Sequence, residues 1–206
     1  MDALETIERD GFTARLYADE DPQNPRTDWD QLGIIVHWHR RHTIGDRKIT
    51  DTERDALSRP RGWALLERYL RATEGLIGPL IPVGLLDHSG LRVYAGGGSA
   101  PGDAQGWDSG TVGFIYTTKK KVDELGAPLD SLDDQLRGEI EEYNQYLSGD
   151  IYGYVIEDQD GNDAPDGSCW GFYGYDYAIS QMNEALDHCI ADEREESAKI
   201  DNMMHV

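Results

Sequence analysis

His37, His39 and His42 are the first side chains whose type and spacing could do chemistry. Side chains alternate along an extended strand, so His37 and His39 share one face. Two imidazoles so placed could hold a metal, with His42 or the Asp87-His88 pair completing the set. Arg40 and Arg41 sit among them and would repel a cation. The favoured expectation is therefore a strand end at which the histidines pair and the arginines meet carboxylates. A wider set, His39, Asp87, His88, Asp108 and Glu139, is expected around the central strand and could serve a metal-assisted hydrolase, since polar residues at strand ends often form sites.

Other motifs are weaker. Asp158, Asp160 and Asn162 present oxygen ligands at alternating positions, like the start of a calcium loop. Glycine stands fourth instead of sixth, however, and the twelfth position is Cys169 where a glutamate belongs, so a solvated hairpin loop is preferred to calcium. Ser109 lies in Gly-x-x-Ser-Gly, which is the wrong order for a nucleophile elbow. Cys169 could pair with His39 or His88, although no spacing brings them together. The Gly96-Gly97-Gly98 loop leads toward a strand, which argues against a phosphate cradle. Glu139 falls on the apolar stripe of a helix and must find a partner or stay protonated. Arg40 or Arg41 is the expected counter-ion, and an active-site acid is the sharper alternative.

These residues need elements to position them. The run Gly106-Trp107-Asp108-Ser109-Gly110-Thr111-Val112-Gly113-Phe114-Ile115-Tyr116 passes from a turn into a β-branched and aromatic stretch, and reads as a central strand. Strands are also expected over 11–17, 33–38, 83–86, 91–94, 151–157 and 168–173, with 83–86 and 91–94 forming a hairpin. Helices are expected over 61–73, over 132–147 behind Ser131, and from Asp176 to about Ala191, with a further turn or two over 119–125. The expectation is an α+β fold: one mixed, mainly antiparallel sheet of five or six strands with three or four helices against it. Residues 1–192 are read as one domain and 193–206 as a frayed tail.

Charge narrows the function classes. The net is −21, and residues 127–206 hold 20 acidic side chains against Arg137, Arg194 and Lys199. Phosphate would repel that stretch, which excludes direct binding of nucleic acid there. Met1-Asp2-Ala3-Leu4-Glu5 has no basic start or apolar run, so a cytoplasmic protein with no membrane contact is expected. Cys169 and Cys189 are then expected as buried thiols and not as a disulfide.

Several blocks together are distinctive: Trp38-His39-Arg40-Arg41, Leu86-Asp87-His88-Ser89-Gly90, Trp107-Asp108-Ser109-Gly110 through Tyr116, Glu141 through Leu147 with Gly149-Asp150, and Ser168-Cys169-Trp170-Gly171-Phe172-Tyr173-Gly174. They are similar to a family of hypothetical proteins carried by phages, prophages and other mobile elements. The resemblance implies a mobile-element setting and transfers no catalytic residue.

The preferred expectation is an acidic inhibitor of a host defence enzyme of restriction or CRISPR type, with DNA mimicry as its mode of action. Its partner-binding candidates are Asp133, Asp134, Glu141, Asp158, Asp160, Asp163, Glu184 and Asp187, aimed at a basic nucleic-acid-binding groove. The alternatives are the hydrolase above and an acidic surface that only reflects a halophilic or high-GC host. No cofactor is required by the first reading, and calcium is the first ion to test.

Overall fold

The computed structural model describes residues 2–103 and 105–204. In chain order the strands are β1 (Glu5–Arg9), β2 (Phe12–Ala18), β3 (Ile34–His37), β4 (Arg47–Lys48), β5 (Leu76–Asp87), β6 (Leu91–Ala95), β7 (Ser109–Thr118), β8 (Ile151–Glu157) and β9 (Asp163–Tyr173). The helices are α1 (Asp51–Ser58), α2 (Gly62–Thr73), α3 (Lys119–Leu125), α4 (Leu132–Ser148) and α5 (Tyr175–Met204). The fold is α+β, with mostly antiparallel pairing. The strands divide between two sheets, β1-β2-β8-β9 and β4-β3-β7-β5-β6, where one was expected. The chain forms two compact units, Met1–Gln23 with Gly149–Val206, and Asn24–Ser148. The second is one continuous stretch that leaves β2 and returns at β8, its neighbour in the first unit's sheet.

In the split unit every strand pair is antiparallel. Alternation turns Phe12, Ala14, Leu16, Tyr154 and Ile156 to one face, where they pack on Ala178, Met182, Leu186 and Ile190 of α5. α5 was expected to stop near Ala191, yet it continues to Met204. Its apolar stripe ends at Ile190, but a helix needs no core contact where its residues favour it. Asp192 to Lys199 is rich in strong helix formers, and two i,i+4 pairs support it, His188–Asp192 at 3.0 Å and Lys199–Glu195 at 3.7 Å. Residues 205–206 of the expected tail lie outside the described residues.

In the continuous unit β7 lies at the centre of its sheet, as its apolar run implies. Ile35, Val83, Leu85 and Ile115 face Leu136, Ile140 and Tyr143 of α4. Val36, Phe114 and Tyr116 face Leu66 and Leu70 of α2 on the opposite side. Gly113 allows β3 to approach β7, because a Cβ there would strike the Val36 carbonyl oxygen. Pro79 and Pro82 were expected to precede their strand, but β5 runs through both. Pro79 falls at an irregularity in the β5–β7 pairing. The Pro82 carbonyl accepts from Gly96 N just past the end of β6, so its missing N–H faces a place with no ladder to break.

Candidate functional site

Four of the five residues proposed for hydrolysis meet in the continuous unit. The end of β3, the end of β5 and the start of β7 bring His39, Arg41, Asp87, Trp107, Asp108 and Ser109 around a cleft of about 270 Å³. His88 stands beside it, its Nδ1 2.9 Å from Asp108. Of the strand-end expectation, the structure shows a carboxylate partner for Arg41 and a histidine pair that lies beyond the end of β3. His39 and His42 stack with ring centres 5.1 Å apart and planes 4° apart, and Arg41 binds Asp87 at 3.0 Å. His42 Nε2 lies 3.4 Å from the same carboxylate. His37 is buried, and its Nδ1 has no hydrogen-bond partner among the described residues. Among the described residues no group of three or more His, Cys, Asp or Glu side chains is arranged to hold a metal.

Ser109 Oγ is committed elsewhere: it donates to Asp103 at 2.7 Å and accepts from Ala100 N at 2.8 Å. Asp103 also accepts from Trp107 N and Asp108 N. It therefore fixes the turn that leaves Trp107 83% exposed.

His39 Nδ1 accepts the His42 backbone N–H at 3.1 Å, so a proton on Nδ1 is incompatible with this turn. Burial, then His42 and Arg41, hold the His39 pKa below its usual value. Burial, then Lys48 and His39, do the same for His37. Both rings take up a proton less readily in the folded protein than in the unfolded chain, where histidine titrates near about 6.5. Their contribution to stability is complete above about pH 6.5 and falls as pH drops through it. His39→Gln is expected to flatten the loss of unfolding free energy between pH 7.5 and 5.5 in urea melts. An equally steep loss in the variant would show that His39 does not carry it.

Glu139 lies apart from this cleft, and its counter-ion is neither Arg40 nor Arg41. Arg26 binds it at 2.9 Å, and Leu32 N and Gly33 N donate to it at 2.6 and 2.9–3.0 Å. Glu139 is thus a structural anion that anchors the segment before β3 to α4. Arg26 donates as well to Asp46 and to the Gly33 carbonyl.

The remaining expectations are placed as follows. Cys169, in the split unit, is exposed and Cys189 half-buried, both as free thiols, so the expectation of two buried thiols fails. β9 is an edge strand, which leaves Cys169 uncovered. Cys169 belongs to the split unit, and His39 and His88 to the continuous one. The Asp158 carboxylate turns back on its own loop and accepts from Asp160 N and Asn162 N at 2.9 Å each, with Asn162 Nδ2 also in reach. Asp158, Asp160 and Asn162 thus form a self-closed turn. Asp133 pairs with Arg137, Asp187 with Arg9, and Glu184 accepts from Gln181, while Glu141 accepts from Asn144. Asp134, Asp160 and Asp163 are exposed.

The sorting of charge could not be read from the chain in order. Asp133, Asp134 and Glu141 on α4 belong to the continuous unit, which holds 19 acidic and 15 basic side chains, net −4. The split unit gathers Asp158, Asp160, Asp163, Glu184 and Asp187 with the N-terminal acids. It holds 21 acidic side chains against Arg9, Arg15, Arg194 and Lys199, net −17. No helix among the described residues is long and apolar enough to cross a membrane. Comparison with family models, curated proteins and solved structures finds no match to this chain.

Proposed function

We propose that the split, acidic unit binds a protein with a basic nucleic-acid-binding groove and inhibits it by occupying the place of the nucleic acid. The observation that supports this reading is the segregation of −17 of the net −21 into one compact unit beside a nearly balanced one. An acidic composition imposed by a salty cytoplasm would act on both units alike. Such a surface repels phosphate and is steered toward a basic partner, with association that weakens as salt screens it. The resemblance to mobile-element proteins makes a host defence nuclease of restriction or CRISPR type the candidate partner.

The test is displacement of a labelled DNA duplex, read by fluorescence anisotropy, from a panel of restriction endonucleases and RNA-guided nucleases. Displacement is expected from at least one of them, weakening steeply between 50 and 300 mM KCl. Reversing Asp160, Asp163, Glu184 and Glu193 together to lysine is expected to weaken it at least a hundredfold. No displacement from any member, or equal displacement by the reversed protein, would overturn the reading.

A further inference from the structure

The four-stranded sheet of the acidic unit has a second face, opposite the one that α5 packs against. The strand registers write three rows of side chains across it. Tyr17, Gly153 and Trp170 form the first, where Gly153 is the partner of both Tyr17 and Trp170. Thr6, Arg15, Val155 and Ser168 form the second. Glu8, Thr13, Glu157 and Asp163 form the third. One end of the face is therefore apolar and aromatic, and the other is acidic.

The aromatic end is built to lie flat. The Trp170 indole covers Gly153 so closely that a Cβ on that glycine would strike the ring. It also stacks toward Tyr17, with centroids 6.3 Å apart and planes 22° apart. The outer side of the slab remains in solvent: Trp170 is 43% exposed. At the other end Glu157 is bound by Arg15 at 2.5 Å, while Glu8 and Asp163 are exposed.

An exposed aromatic slab can stack bases or guanidinium groups. Carboxylates along the same face and a net of −17 in the same unit disfavour a polyanion and favour a cation. Guanidinium both stacks on aromatic rings and forks onto carboxylates, whereas ammonium does only the second well.

We propose that this bare sheet face is the surface that receives the basic partner, with arginine side chains stacked on Trp170 and Tyr17 and paired with Glu8 and Asp163. The proposal rests on the reading that the acidic unit binds a basic protein, and it names the surface and the residue type recognised. Deca-arginine and deca-lysine are the probes, titrated into the full-length ¹⁵N-labelled protein at 150 mM salt. Deca-arginine is expected to shift backbone amides of β1, β2, β8 and β9 and to bind at least fivefold tighter than deca-lysine. Trp170→Leu retains an apolar cover over Gly153 but removes the π face, so it is expected to abolish that preference with the melting temperature nearly unchanged. Glu8→Gln with Asp163→Asn is expected to weaken both peptides.

Shifts confined to α5, or an undiminished arginine preference in Trp170→Leu, would overturn this surface while leaving the acidic-unit reading intact. Failure of both peptides to bind would remove both. Saturable binding of a dT decamer to the same face would overturn the choice of a basic protein as its occupant.

Discussion

Arg26→Ala is expected to lower the unfolding free energy by about 3–5 kcal/mol, the usual cost of leaving a buried carboxylate without its cation. The Arg26 side chain is only 3% exposed and binds Asp46 and Glu139. Burial works against its charge, but Asp46 and then Glu139 outweigh that and raise its pKa. Without the guanidinium, Glu139 keeps its two backbone donors, Leu32 N and Gly33 N, and loses the cation that pairs with it. The double variant Arg26→Ala/Glu139→Gln is expected to recover part of the loss, because the stranded charge is gone. A urea melt followed by tryptophan fluorescence measures both. A loss under 1 kcal/mol for Arg26→Ala would mean that the network is solvated and does not hold the segment before β3.

Glu53→Ala is expected to cost about 3 kcal/mol, combining a lost helix cap with a lost buried ion pair. Glu53 is fully buried, yet it sits in the first turn of a short helix. Its carboxylate accepts from Arg47 at 2.6 and 2.9 Å, from Thr50 N at 2.7 Å and from Thr50 Oγ1 at 2.8 Å. Burial alone would push its pKa up; the Arg47 and Thr50 donors more than offset this and hold it below the usual value. A depressed carboxylate pKa stabilises the fold above the unfolded value of about 4.5, and that contribution drains away as pH falls below it. The difference in stability between wild type and Glu53→Ala should therefore be full at pH 7 and shrink as pH falls below about 4.5. A difference independent of pH would mean that packing, and not the charge, is what the variant loses. Arg47 also reaches the Tyr116 hydroxyl at 3.1 Å. Burial and Glu74 push that hydroxyl up to about 12, so it stays protonated through these experiments.

The α1 helix shows where local reading fell short. Its signal is present, since Thr50-x-x-Glu53 is a capping box and both reciprocal bonds form. The stretch is polar, however, with Ala56 and Leu57 as its apolar contribution, so no periodic stripe announces it. β1 is obscured in the same way: Glu-Thr-Ile-Glu-Arg is exposed along most of its length and forms a strand because β2 pairs with it. Ser131 through Leu147 was legible because Leu132, Leu136, Ile140 and Tyr143 repeat at helical spacing, and all four are buried.

The sequence alone determined which residues are strand and which are helix wherever one face had to leave water, and it required a partner for Glu139. The tertiary structure decided who that partner is. Arg26 lies 113 residues from Glu139, whereas Arg41, nearer in the chain, binds Asp87. It also decided that β2 pairs with β8 across a whole inserted unit. The acids of α4 therefore belong to one unit, and those of α5 and the N-terminal stretch to the other. The physical reason is one of range. Side-chain periodicity records which face of an element is buried, over spans of three or four residues. Partner choice between elements is settled by the whole set of faces packing together, and no local pattern records it.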